Sequence, residues 1–318
     1  MIKSLTDKKI WLAPLAGFTD NAFRKICKQC GADVIVSEMV SADGIVFDKK
    51  RSISYTDSDE SQRPFGIQLF GSEPKIMAKA VEIILEKKPD FIDVNMGCPV
   101  KKVIKRGAGS ALMKNPDKAE AIIKEMNNAL KGCNVALSAK IRSGWDKQNI
   151  NAVDFGKMLQ NAGVDMICLH PRTRTQMFSG RSDWNLIKEL KQKVRIPIIG
   201  NGDIRTPEDA QKMFSQTNCD SIMVGRGILG KPWLLTEIKD YLLNAETQTL
   251  NLSEKYEIIV QHFEEIVKNK GEQTTIREMR THFSYYTKGF KGSAKIRNFI
   301  NKSSDKKKVL SAIQELYS

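Results

Sequence analysis

Between residues 10 and 224 the sequence repeats one pattern: a short apolar run, an amphipathic stretch, then another short apolar run. The runs occupy residues 10–16, 32–39, 64–70, 91–96, 135–141, 166–170, 196–200 and 221–224. Runs this short and this continuous read as parallel strands buried on both faces. Between them, residues 73–87, 117–130, 152–162, 183–191 and 207–214 have helical spacing, and several open with Pro or an acidic residue, as first turns prefer. Eight strand-helix units close into a (β/α)8 TIM barrel. An open doubly wound sheet is the competing arrangement, but the first run is not followed by Gly-x-Gly-x-x-Gly. The 318 residues accommodate a barrel of about 250 residues and a small appendage.

A barrel keeps its chemistry at the carboxyl ends of its strands, which makes those positions the ones to read. The run 91–96 stops abruptly in Gly97-Cys98-Pro99: Gly97 frees the turn and Pro99 biases Cys98 toward an extended backbone, placing Cys98 just past the strand end. Gly200-Asn201-Gly202-Asp203 and Gly225-Arg226-Gly227 end the last two runs. Glycines there let backbone amides approach an anion, and the loops after strands seven and eight are the usual phosphate site of this architecture. Gln68, Lys140 and His170 are polar where an apolar strand gains nothing from them. An amide and a cation are what the edge and the N1/C2 side of a flavin require. Ala13-Pro14-Leu15-Ala16-Gly17 ends the first run with side chains small enough for a flat ring to lie against backbone.

Lys and Arg number 51 against 37 acidic residues, a formal charge of +14, which favours a polyanionic partner. The distribution supports this. After a polar linker at 244–250, strand patterning ceases, and residues 250–318 read as a small helical domain carrying Arg277, Lys288, Lys291, Lys295 and Arg297 amid Tyr285, Tyr286, Phe290 and Phe299. A second cluster, Lys101, Lys102, Lys105 and Arg106, followed by Gly107 to Ser110, reads as a mobile basic loop beside Cys98. Six unevenly spaced cysteines do not form a disulfide framework, and the Cys27-x-x-Cys30 pair lacks further ligands for zinc, so no metal is expected. Residues 1–10 lack a signal-peptide core and no run approaches the roughly 20 residues of a membrane span, so a cytoplasmic, membrane-free protein, monomeric for want of an evident protein partner, is the expectation.

These residues together resemble the bacterial tRNA-dihydrouridine synthases. The resemblance is carried by residues 13–20 (APLAGFTD), 37–39 (SEM), 68–71 (QLFG), 93–99 (DVNMGCP), 140–145 (KIRSGW), 170–174 (HPRTR), 200–203 (GNGD) and 225–227 (GRG), in order along the barrel. Leu15 stands where many members have Met, and Pro171 where Gly or Ala is common. The resemblance implies a barrel catalytic domain over residues 1–243 and a helical RNA-binding domain over 244–318. It implies FMN held by Pro14, Leu15, Ala16, Gln68, Lys140, His170, Asn201, Gly202, Asp203, Gly225 and Arg226, with NADPH as reductant and tRNA as partner. It makes Cys98 the acid that protonates uracil C5 as hydride adds at C6, a task suited to a thiol of pKa about 8.5. Asn95 and Arg172 join the basic residues as expected substrate contacts. A barrel flavoprotein acting on a free pyrimidine, or an RNA-binding protein retaining the barrel as scaffold, stand as alternatives.

Overall fold

The computed structural model describes residues 5, 7–48, 52–246 and 249–318. Residues 1–4 and 6 of the stretch that bears on a signal peptide, and Thr247 and Gln248 of the linker, lie outside the described residues.

Strands β1 (Ile10–Leu12), β2 (Ile35–Val36), β3 (Val40–Ser41), β4 (Phe65–Phe70), β5 (Phe91–Met96), β6 (Ala136–Arg142), β7 (Met166–His170), β8 (Ile198–Asn201) and β9 (Ser221–Val224) are parallel wherever they pair. Their order is β1-β9-β8-β7-β6-β5-β4-β2, with β3 beside β4, and a parallel bridge between Trp11 and Val34 brings the two ends together. The result is the expected TIM barrel, with two refinements. The first run leaves the sheet after Leu12. The second is interrupted because the Ser37 hydroxyl, not a main-chain carbonyl, takes the N–H of Gln68 at 3.0 Å, so residues 38–39 leave the ladder before β3 resumes.

Alternation along the strands builds two cores. Inward side chains include Trp11, Phe91, Ala136, Met166, Ile199 and Met223, which fill the lower barrel, with the Trp11 and Phe91 rings 5.2 Å apart. Outward side chains such as Leu12, Ile67, Val94, Leu137 and Ile167 join the helices' apolar faces in a larger cluster. The helices begin where local chemistry allows. Pro74, Pro116 and Pro207 occupy first turns, and Thr206 and Asp209 cap one another at the start of Pro207–Thr217.

The chain ends in four helices, Leu252–Lys270, Glu272–Tyr286, Ser293–Lys302 and Lys306–Gln314, around a cluster that includes Ile259, Phe263, Met279, Phe283 and Ile313. They join the barrel through Trp233 and through Phe23, whose ring lies 5.0 Å from His262 and 4.9 Å from His282. Tyr286 is buried and Tyr285 and Phe290 are half-buried, so of the aromatics read as RNA-facing only Phe299 is substantially exposed. Among the described residues no helix is long and apolar enough to cross a membrane.

Candidate active site

Moving up the barrel axis, the inward positions change from apolar to polar. Gln68 pairs with Asp93 and Asp93 with Ser138 across β4, β5 and β6, and one step higher Asn95 pairs with Lys140. All strands being parallel, the ends of β5 through β9 open at one mouth, where Cys98 and the glycine turns meet. Cys98 is only 9% exposed, packed with Val103, Ala108, Met39 and Phe70. Burial raises its thiol pKa, opposed by a backbone hydrogen bond at Val100 and the charge of Arg142, so the sulfur keeps its proton at neutral pH. Lys101 and Lys102 are exposed and lend it no charge from inside.

The segment read as a mobile loop is ordered instead. Residues Lys101–Ile104 form a short helix and Gly109–Lys114 a 3-10 helix. Val103 is buried against Cys98, and the Ser110 N–H and hydroxyl both donate to the Cys98 carbonyl, at 3.1 and 3.0 Å. These anchors are not visible in a row of lysines. Lys105 and Arg106 remain exposed beside the mouth.

From β6, beside β5, Lys140 Nζ donates to Asn201 Oδ1 at 2.9 Å, and Asn201 Nδ2 donates to the Met223 carbonyl at 2.6 Å. Arg172 Nη1 lies 3.2 Å from His170 Nε2. A guanidinium only donates, so that nitrogen accepts and the neutral ring carries its proton on Nδ1. Burial first, then the charges of Lys140, Arg142, Arg172 and Arg226, hold His170 well below its ordinary pKa. Gly202, at φ +119°, could not carry a Cβ, which would meet Ser182 Oγ at 2.4 Å and His170 Cδ2 at 2.8 Å. A Cβ on Gly227 would stand 2.2 Å from the Ile204 carbonyl oxygen. Gly225 has no such crowding, since a Cβ there would make ordinary contact with Ala13 and Leu15.

Three of the expected site residues have partners within the protein. Arg172, expected at the RNA, is 1% exposed: its guanidinium donates to both Asp203 oxygens at 2.8 Å, to the Ser179 and Gly180 carbonyls and to Ser182 Oγ. Asp203, expected at the cofactor, spends its carboxylate on Arg172 and the Ser182 N–H, tying the β7 and β8 loops together. Asn95, expected against the base or the flavin, accepts the N–H groups of Gly97 and Cys98 at 3.2 and 2.8 Å and so shapes the cysteine turn.

Two residues not among the expected site residues complete the mouth: Arg142, which lies in the 140–145 motif, and Phe178. Arg142 donates from Nε to the Gly97 carbonyl at 2.7 Å and from Nη1 to the carbonyls of Thr173 and Met177, and burial lowers its pKa to about 10. Phe178 is 46% exposed, its ring 4.5 Å from the Arg226 guanidinium and 5.6 Å from that of Arg142. In the C-terminal helical region Lys291, Lys295, Lys307 and Lys308 line a groove with exposed Phe299, Arg277 and Lys288 are exposed, and Arg297 is half-buried with Nη1 on Thr287 Oγ1.

A family model described as dihydrouridine synthase matches residues 11–318. The chain belongs to the dihydrouridine synthase family. It is therefore an enzyme of a flavin-dependent oxidoreductase family. Similar relatives include tRNA-dihydrouridine synthase B of Pasteurella multocida, 37% identical over 312 residues that cover 98% of this chain and 93% of that protein. The protein of the same name from Pseudomonas aeruginosa is 34% identical with the same coverage, 98% and 93%. A probable tRNA-dihydrouridine synthase of Rickettsia conorii is 36% identical over 97% of this chain and 93% of that one. Among solved structures, histamine dehydrogenase from Rhizobium sp. 4-9 is similar with a TM-score of 0.54 at 14% identity, over 81% of this chain and 49% of that one, a likeness of fold.

The mouth fits a family flavin on its own chemistry. Lys140, Arg142 and Arg226 have no carboxylate within ion-pair distance among the described residues, which leaves positive charge available to an anionic group. Gly202 and Gly225 keep the opposite wall at backbone level.

Proposed function

We propose that this member of the dihydrouridine synthase family reduces the C5=C6 bond of uridines in tRNA to 5,6-dihydrouridine, with FMN as bound cofactor and NADPH as reductant. The observation that carries this reading is the pairing of a protonated, barely exposed Cys98 at the end of β5 with the cationic, glycine-walled ends of β6 to β9 at one mouth. Full-length similarity to proteins named tRNA-dihydrouridine synthase supports the substrate.

FMN, when bound, supplies hydride to C6 of the uracil ring. The protein's residues do the rest. Pro14, Leu15, Ala16, Gln68, Lys140, His170, Asn201, Gly202, Gly225 and Arg226 hold the cofactor, Lys140 and Arg226 with positive charge and neutral His170 as a hydrogen-bonding ring. Charge left on the pyrimidine after hydride addition reaches C5, and Cys98 Sγ gives its proton there, forming the C5–H bond and leaving a thiolate that solvent reprotonates. The charge of Arg142 steadies that thiolate. A raised thiol pKa keeps the proton on Cys98 until it is needed and disfavours spontaneous nucleophilic reaction.

The exposed residues Lys105 and Arg106 beside the mouth, and Arg277, Lys288, Lys291 and Lys295 in the C-terminal helical region, contact RNA phosphates, with residues 1–243 as the catalytic domain and 244–318 as the RNA-binding domain. Arg297 contributes from a half-buried position. A uracil must leave its stack to reach Cys98, costing a few kcal/mol that phosphate contacts offset. The test is incubation of the purified protein with NADPH and either a tRNA transcript or free uridine monophosphate. Release of one FMN per chain on denaturation and dihydrouridine in the transcript alone are expected. Turnover of the free nucleotide at a comparable rate would overturn the tRNA assignment.

A further inference from the structure

A line of side-chain amides runs from a buried carboxylate to the cysteine turn. Asp93 Oδ2 accepts from Gln68 Nε2 at 2.7 Å, Gln68 Oε1 accepts from Asn95 Nδ2 at 2.8 Å, and Asn95 Oδ1 accepts the N–H of Cys98 at 2.8 Å and of Gly97 at 3.2 Å. The remaining oxygen of Asp93 takes the Ser138 hydroxyl, and the second N–H of Asn95 meets Met39 Sδ at 3.6 Å. Gln68 is 0% exposed, Asp93 4% and Asn95 9%.

An amide side chain keeps nearly the same shape when turned over, so packing does not select its orientation and the polarity of its partners must. Both ends of this line are one-way, since a backbone N–H only donates and a carboxylate only accepts. Turning over either amide would set oxygen against carboxylate or N–H against N–H. A single arrangement survives: the backbone N–H groups set Asn95 at one end, and Asp93 anchors the other. Without an acceptor at 93, Gln68 Nε2 loses its partner and the line its fixed end. Asp93 is otherwise hard to account for, because a carboxylate inside a barrel, without an ion-pair partner among the described residues, is costly to bury.

We propose that Asp93 is the positioning residue of this active site: acting through Gln68 and Asn95, it holds the Gly97-Cys98 turn and with it the thiol at the barrel mouth. Its importance for catalysis rests on Cys98 being the acid, whereas the hold on the turn does not.

The test follows backbone amide hydrogen exchange at Gly97 and Cys98 in the full-length, flavin-loaded protein. Gln68→Glu brings two carboxylates together and breaks the first link. Combining it with Asp93→Asn restores the link with donor and acceptor exchanged, because the new amide at 93 donates to the new carboxylate at 68, which still accepts from Asn95. Exchange is expected to be about tenfold faster in Gln68→Glu and to return to within about threefold of wild type in the double variant, the scale of one net hydrogen bond. Asp93→Leu, which adds no charge, serves if Gln68→Glu does not fold, and should show the same acceleration with Asp93→Asn recovering protection. Unaltered exchange in the folded single variants, or no recovery in a double variant of wild-type melting temperature, overturns the proposal. A fully active Cys98→Ala protein would refute the acid role but leave the exchange pattern as predicted.

Discussion

The Arg172–Asp203 pair offers the sharpest energetic prediction. Arg172 is 1% exposed and donates to both oxygens of Asp203, while its other partners, His170 Nε2, Ser182 Oγ and the Ser179 and Gly180 carbonyls, are neutral. Asp203→Asn removes the only countercharge within ion-pair distance of that guanidinium among the described residues and turns an NH2 toward Arg172 or the Ser182 N–H, both donors. Removing one partner of a buried pair costs about 3–5 kcal/mol, and because Asp203 is 19% exposed and water can reach the gap, the lower end, about 3 kcal/mol, applies. At about 2 °C per kcal/mol for a chain of this size, the melting temperature should fall by roughly 6 °C at pH 7. Burial pushes the Asp203 carboxyl up, but hydrogen bonds from Arg172 and Ser182 and the charges of Arg172 and Arg205 outweigh it and leave its pKa below the ordinary 3.8. A depressed folded pKa means the contribution is fully present above about 4 and is lost as pH falls through the folded value. The gap between wild type and variant should therefore hold constant from pH 7 to about 5 and narrow below 4. The assay is thermal unfolding across that range, and equal melting at pH 7 would refute the argument that this ion pair ties the β7 and β8 loops.

Other outcomes follow from single features. Gly202→Ala, which forces a Cβ to 2.4 Å from Ser182 Oγ at φ +119°, should leave a folded protein that loses flavin on gel filtration, and wild-type flavin content would exclude Gly202 from the cofactor wall. Replacing Lys105 and Arg106 by Gln should reduce the slope of log affinity for tRNA against log salt by about 1.5, at 0.7–0.9 per phosphate contact, and an unchanged slope would reject their contact with RNA. A thiol reagent applied to the native protein should find Cys133 fast and exposed, Cys98 slow, and Cys27 and Cys30 unreactive. Rapid reaction of the latter two would contradict their burial as plain core residues.

The barrel was legible because its strands are buried on both faces and so appear as short apolar runs. Six of the eight predicted runs end within two residues of the observed strand ends, whereas the first and second were drawn too long, because Pro14 follows the first and Ser37 substitutes its hydroxyl into the ladder of the second. Cys98, Lys140, His170 and the two glycine turns were expected at strand ends, and they stand there. What escaped was burial of charge. A sequence shows that Arg142 and Arg172 are basic but not that each is enclosed by carbonyls, and it shows Asp93 as one more letter in a strand. The segment after Cys98 looked mobile because its lysines are conspicuous, while Val103 and Ser110, which anchor it, are not. Likewise Tyr286 and Phe290, read as candidate RNA contacts, pack in the small core of the C-terminal helices.

The account stands on the thiol at position 98. The most direct measurement is a single turnover of reduced, FMN-loaded Cys98→Ala protein with tRNA, following flavin oxidation and dihydrouridine together. The protein should remain yellow and bind tRNA as wild type does, while dihydrouridine formation slows by about 10²-fold or more, the usual contribution of a positioned general acid. Formation at the wild-type rate would show that the proton at C5 comes from elsewhere.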